Sequence, residues 1–174
     1  MEQRTILVVD DEDLVLRAFC RAPSHLCVVA AKTGAEAREI ARARHLDAAV
    51  IDYMLGDGEC GLDLVRELRR ENALVKLVVA SAYACTEMAV MAMRAGADYV
   101  KVKPLTPRAV VKWLETAAWD DNDPSETPSM ERMQWEYVHR VLRESDGNIS
   151  EAARRLRIER LTLRRHLGKP APRH

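Results

Sequence analysis

The sequence predicts an α/β domain with a five-stranded, parallel, doubly wound sheet, followed by a small all-α domain of helix-turn-helix type. Three observations carry this reading. Five short apolar runs rich in β-branched residues alternate with longer segments of helical apolar spacing over residues 1–120. Composition then changes sharply at Asp120–Ser129, and the remainder is helical in pattern and basic.

The apolar runs are Thr5–Val9, Leu26–Ala30, Ala48–Ile51, Lys76–Ala80 and Tyr99–Val102. They are uninterrupted rather than alternating, as expected of strands buried on both faces of a parallel sheet. Between them Leu14–Cys20, Ala35–Ala43, Leu62–Leu68, Met88–Ala95 and Val110–Ala117 carry the spacing of amphipathic helices. The stretch Asp120–Ser129 holds two prolines, several acids and no large apolar residue, which reads as a linker. The domains are accordingly set at 1–120 and 132–174, with the linker at 121–131. Beyond it Met133, Tyr137, Val138, Val141 and Leu142 recur at helical spacing, and Asp146-Gly147-Asn148 forms a turn. Asn148 with Glu151 three residues on is a capping-box-like start for a helix to Leu156. A break at Arg157–Glu159 leads to a third helix, Arg160–Leu167, ended by Gly168 and Pro170.

At 174 residues and 48% hydrophobic, the chain can bury a core and lies outside the disordered range. No apolar run approaches the roughly 18–20 residues of a bilayer span. The N-terminus runs straight into a strand-like segment with no signal-peptide core, so a cytoplasmic chain with no membrane partner is expected. Cys20, Cys27, Cys60 and Cys85 are scattered and unpaired by motif, which suits core or surface thiols better than disulfides or metal ligands. The net charge of zero conceals a gradient. Residues 1–120 hold 16 Lys/Arg against 18 Asp/Glu, or −2, whereas residues 130–174 hold 11 against 6, or +5. A basic module after an acidic spacer points to a polyanion partner.

A parallel doubly wound sheet collects its functional side chains at the carboxyl ends of its strands. Here the first run ends in Asp10-Asp11, the third in Asp52, the fourth in Ser81, and the fifth in Lys103 beside Pro104. Three converging carboxylates repel one another unless a cation joins them, and hard oxygen ligands with room for water suit Mg²⁺. Lys103 adds an ammonium and Ser81 a hydroxyl donor. The chemistry that fits is phosphoryl transfer to a carboxylate, with Asp52 as nucleophile and Mg²⁺ and Lys103 neutralising the transferring group. Any one acid alone reads equally well as a helix N-cap. The whole set, at successive ends of one sheet, does not.

Over residues 4–118 the chain resembles the response-regulator receiver family, whose fold is flavodoxin-like. Val8-Val9-Asp10-Asp11-Glu12 is similar to the family's acidic pair, Val50-Ile51-Asp52 to its phospho-acceptor strand, and Ala80-Ser81-Ala82 to the strand bearing its switch hydroxyl. Gly96-Ala97 through Lys103-Pro104 is similar to its lysine motif. The resemblance implies phosphorylation of Asp52 by a sensor histidine kinase and Mg²⁺ bound by Asp11 directly, by Asp10 through water, and by the Met54 carbonyl. It also implies a cis Lys103–Pro104 bond. Two features depart from the family. The loop Leu55–Gly61 lacks the usual proline and is one residue longer. Family spacing also puts Val100 at the switch-aromatic position, with Tyr99 one residue earlier. Tyr99 is then the switch if the strand register slips, and otherwise a surface or interdomain residue. Met88, Met91 and Met93 read as core filler or as an adaptable contact surface.

In the tail, Ala152 and Ala153 are small enough for two helices to approach closely, and Ile158, Leu163 and Leu167 form an apolar seam. Arg160, Thr162, Arg164 and Arg165 then fall on the exposed side of the last helix, where arginine can read guanine and threonine a thymine methyl. Arg154, Arg155 and Arg157 suit phosphates. Residues 133–168 resemble the Fis-type helix-turn-helix, and the combination resembles redox-responsive regulators of the PrrA/ActR/RegA type. That resemblance implies transcription regulation on double-stranded DNA, with a homodimer formed on phosphorylation or on DNA. The helix Met130–Ser145, with Trp135 and Tyr137, is expected either to pair two chains or to dock within its own module. Two other functions compete: a phosphorelay protein with an assembly tail, and a haloacid-type phosphatase. The first has no need of an arginine-bearing reading helix, and the second needs a cap domain for which the spacings leave no room. Enzyme activity is expected only toward the chain's own aspartate.

Overall fold

A computed structural model describes residues 4–21, 26–56, 58–119 and 129–170. Most of the expected linker, 121–128, and Asp57 of the loop after Asp52 lie outside the described residues. Five strands, β1 (Arg4–Val9), β2 (Leu26–Ala31), β3 (Ala48–Asp52), β4 (Lys76–Ser81) and β5 (Tyr99–Val102), form one parallel sheet in the order β2-β1-β3-β4-β5. Helices α1 (Asp13–Cys20), α2 (Gly34–Ala43), α3 (Gly61–Glu71), α4 (Thr86–Ala95) and α5 (Pro107–Thr116) connect and follow them. The strand order reverses between β1 and β3, and the crevice of such a sheet lies where the order reverses.

The uninterrupted strands have a simple cause. Leu7, Val9, Ala49, Ile51, Leu77 and Val79 belong to one core with Leu62, Leu64, Val65 and Met88. Ile6, Val8, Ala48, Val50 and Val78 belong to a second core with Leu16, Phe19, Val110, Trp113 and Leu114. Alternate residues of each strand thus enter opposite cores, and both must be apolar. Helix starts follow local chemistry. Thr33 accepts from the Glu36 N–H, and Thr106 from the Ala109 N–H with Pro107 in the first turn. The methionines divide between the two readings: Met88 is in the core, Met91 packs beside it, and Met93 is exposed.

The tail is three helices, α6 (Met130–Glu144), α7 (Ile149–Leu156) and α8 (Arg160–Leu167), around Val138, Val141, Ala152, Ala153 and Leu163. Helix α6 starts at Met130, capped by the Ser129 hydroxyl, so residues 130 and 131 of the expected linker are helical. Gly147, with φ of +76°, closes the turn after α6, a conformation that costs a side-chain-bearing residue about 1–2 kcal/mol. Asn148 then caps α7 through the Ser150 and Glu151 N–H groups. Among the described residues no helix is long and apolar enough to cross a membrane.

Candidate functional site

The strand ends deliver the acidic crevice. Oxygen atoms of Asp10, Asp11 and Asp52 lie within 4.8 Å of one another. Lys103 Nζ bridges two of these acids, 2.7 Å from Asp10 Oδ2 and 2.7 Å from Asp52 Oδ2. The Lys103–Pro104 peptide before α5 is cis. Asp52, only 1% exposed, also accepts from the Met54 N–H through Oδ1 at 3.2 Å, and Asp10 Oδ1 accepts from the Glu12 N–H at 3.0 Å. Burial pushes the Asp52 carboxyl well above the ordinary carboxylate range, with Lys103 pulling against it. Burial works against the Lys103 ammonium as well, yet Asp52 and Asp10 together hold its pKa above the ordinary lysine value.

The unusual loop after Asp52 is closed by its own backbone. Leu55 N–H donates to Glu59 O at 3.0 Å and Gly61 N–H to Tyr53 O at 2.9 Å, with a bridge between Met54 and Cys60. Gly61 opens α3 directly beneath Asp52. A Cβ on it would lie 2.1 Å from the Asp52 carbonyl oxygen.

The sequence reading missed what fills the crevice. Arg132 of α6 is 0% exposed, and its Nη2 donates to Asp52 Oδ2 at 2.8 Å and to Met54 O at 3.2 Å, with Asp11 Oδ1 at 3.5 Å. Its Nη1 lies 3.8 Å from Glu12 Oε1. One turn on, Glu136 is 2% exposed. It accepts from Ser81 Oγ at 2.6 Å and from the Ala82 and Tyr83 N–H groups at 3.2 and 3.3 Å. Arg132 Nε pairs with Glu136 Oε1 at 3.1 Å. Around this pair Trp135 joins the sheet-face core, Arg140 Nη1 donates to Cys85 Sγ at 2.8 Å, and Arg143 donates to the Tyr53 hydroxyl. Burial pushes that hydroxyl up to about 12, with Arg143 opposing.

Of the two readings of α6, docking within its own module holds, with a further contact that neither reading named. One side of this helix docks within its own module through Val138 and Val141, while another docks on the α/β domain. Residues 132, 135, 136, 140 and 143 recur at helical spacing, and this repeat was the available signal. A charged stripe ordinarily reads as a solvated face. The tryptophan within it was the hint that it is not.

The structure puts Tyr99 outside the crevice, where its ring contacts Trp113 and Trp119 and its exposure is 41%. The register runs regularly, with Tyr99 beside Val78 and Val102 beside Ser81, so no slip turns Tyr99 inward. In the tail, Arg160, Arg164 and Arg165 are exposed and Thr162 half-buried, while Leu163 between them is in the core. These residues share one helix, as expected, and stand apart from the acidic crevice.

Residues 6–115 match the family model of the response regulator receiver domain, and residues 129–169 match that of the bacterial regulatory protein, Fis family. The chain belongs to the response-regulator family. This response regulator is 38% identical to the photosynthetic apparatus regulatory protein RegA of Rhodovulum sulfidophilum, over 99% of its own length and 95% of the relative's. It is 36% identical to the acid tolerance regulatory protein ActR of Sinorhizobium medicae, over 97% of its own length and 88% of the relative's. Among solved structures, a response regulator of Burkholderia pseudomallei, crystallised with a phosphorylated aspartic acid, a calcium ion and citrate, is 29% identical. It matches with a TM-score of 0.57, over 95% of this chain and 99% of that one. The response regulator thus joins a receiver to a Fis-type DNA-binding output, an arrangement shared along nearly its whole length with regulatory proteins.

Proposed function

We propose that this response regulator accepts a phosphoryl group on Asp52 from a sensor histidine kinase and, in response, regulates transcription through α8. The observation that carries the reading is the Lys103 bridge between Asp10 and Asp52 inside a carboxylate cluster. In the transfer, the phosphorus–nitrogen bond of the donor phosphohistidine breaks as a phosphorus–oxygen bond to Asp52 forms. The imidazole leaves and takes up a proton. Lys103 pairs with the incoming oxygens and Ser81 donates its hydroxyl to one of them. Hydrolysis of the acyl phosphate on the same aspartate is the only other chemistry assigned to the chain.

The donor set fits Mg²⁺: three hard carboxylates and the Met54 carbonyl, at a place where a guanidinium already sits as a cationic stand-in. Asp10, Asp11, Asp52 and Met54 would hold it, and it would supply charge neutralisation for the transferring group. An apolar cavity of about 300 Å³ beside the crevice, lined by Leu14, Val15, Phe19 and Pro104 with Asp10 and Lys103, suits approach of the kinase.

On the output side, Arg160, Thr162, Arg164 and Arg165 of α8 read the major groove, and Arg154, Arg155 and Arg157 contact phosphates. Two chains paired as a homodimer would present two α8 helices about 34 Å apart. The receiver takes residues 1–120, and the DNA-binding unit begins with α6 at Met130, capped by Ser129. A duplex partner goes with work in the cytoplasm. The test is gel-shift binding of the full chain to selected duplex DNA, in the presence of Mg²⁺ and a small acyl-phosphate donor. Affinity is expected to fall steeply as salt rises. Arg164→Ala should weaken the selected site by about 1–3 kcal/mol relative to competitor DNA. Absence of duplex binding at low salt by the phosphorylated chain would exclude the output reading.

A further inference from the structure

We propose that α6 is an internal latch whose side chains imitate a filled receiver pocket, Arg132 standing for the metal ion and Glu136 for the phosphoryl group. Docking of α6 and filling of the pocket then exclude one another. The inference rests on the reading of the pocket given above.

Arg132 contacts the groups proposed to hold Mg²⁺: Asp52 at 2.8 Å, the Met54 carbonyl at 3.2 Å and Asp11 at 3.5 Å. Its guanidinium is a fixed cation that donates along several directions and accepts nothing, so it can satisfy converging oxygen ligands as a metal does. Glu136 is the matching anion. It collects the Ser81 hydroxyl and the Ala82 and Tyr83 N–H groups, donors at the end of β4 suited to the oxygens of a phosphoryl group on Asp52. The Arg132–Glu136 contact of 3.1 Å repeats the pairing of cation and phosphoryl oxygen. Their spacing of four residues on one helix offers both as a unit.

Competition follows from shared atoms. Asp52 Oδ2 cannot direct the same lone pairs to Arg132 and to a metal ion. A phosphoryl group bringing about −1.5 to −2 charges to Asp52 would meet the Glu136 carboxylate already at Ser81. Filling the pocket therefore ejects both imitating side chains. Because α6 also carries Val138 and Val141 of the tail core, the tail moves with it. The arginines of α8 stay exposed while α6 is docked, so the latch governs the freedom of α6 rather than covering the reading face.

The test uses the full chain with two probes, Mg²⁺ alone and Mg²⁺ with beryllium fluoride. Amide hydrogen exchange over residues 130–144 and Mg²⁺ affinity by calorimetry are the readouts. In the wild type, α6 exchange is expected to accelerate as either probe saturates, while β1 and β3 stay protected. Arg132→Ala and the near-isosteric Glu136→Gln should show fast α6 exchange without any probe. By reciprocity of coupling, Arg132→Ala should bind Mg²⁺ at least ten-fold more tightly. Unchanged α6 exchange on filling, or an affinity of Arg132→Ala within two-fold of wild type, would overturn the latch and leave the pocket standing. A wild type that binds neither probe would overturn the pocket, and the latch with it.

Discussion

Asp52→Asn is expected to take up no phosphoryl group from a small acyl-phosphate donor, while folding somewhat more stably than the wild type. The substitution replaces the attacking carboxylate oxygen with an amide of the same shape, which cannot form an acyl phosphate. The stability gain follows from the charges around it. Asp10, Asp11, Glu12, Asp52 and Glu136 crowd one crevice, where they pair with Lys103 and Arg132. Asp52 is the most deeply buried of the cluster's strand-end acids, and burial already opposes its charge. The amide oxygen can still accept from Lys103 and Arg132, so the buried cations keep a partner. The net gain should be on the order of 1 kcal/mol, or a melting temperature a few degrees higher without Mg²⁺. Radiolabel transfer and a thermal melt check the two halves. Label on the variant would remove Asp52 as acceptor, and a large loss of stability would show that the cluster depends on this carboxylate.

Gly61→Val should have the larger effect on folding. A Cβ at this position would sit 2.1 Å from the Asp52 carbonyl oxygen and 2.8 Å from Ile51 Cγ2. Backbone and a core side chain both lie in the way, so either the start of α3 or the end of β3 must move. Overpacking against such fixed neighbours costs about 3 kcal/mol or more. Any protein that still folds carries a displaced Asp52, and misplacement by about 1 Å lowers transfer rates on the order of 100-fold. Urea denaturation and phosphorylation rate should fall together. A variant as stable as wild type would show that the α3–β3 contact is looser than its geometry.

Much of the receiver was legible because its determinants are local or periodic. Runs such as Ile6–Val9 and Leu77–Ala80 are apolar at every position, which only a strand covered on both faces requires. The meeting of the strand-end side chains was legible for a related reason. A parallel sheet brings all its strand ends to one rim, so Asp10, Asp52, Ser81 and Lys103 needed only to end their strands to meet. Likewise the Asn148 cap, the Ala152-Ala153 pair and the arginines around Leu163 announce their places within a short helical unit.

The facing of Tyr99 was not determined by local pattern. Its neighbour in sequence left the register open by one residue, and one residue turns a strand side chain to the other face. Pairing with β4 decided it, and two tryptophans from α5 and beyond cover the ring. Arg132 and Glu136 lay further out of reach. Their partners are 80 and 55 residues away, across a segment whose composition describes a spacer and no direction. Local pattern specifies which face of a helix wants to be buried through its apolar residues, and here the buried face is charged. Its burial is favourable only because Asp52, Asp11 and Ser81 supply complementary charge and hydrogen bonds, and those exist as a set only once the sheet has formed. The chain's own residues thus determined two folded units and which strand-end side chains meet in the crevice. Only tertiary contact decided that the second unit reaches into the pocket of the first.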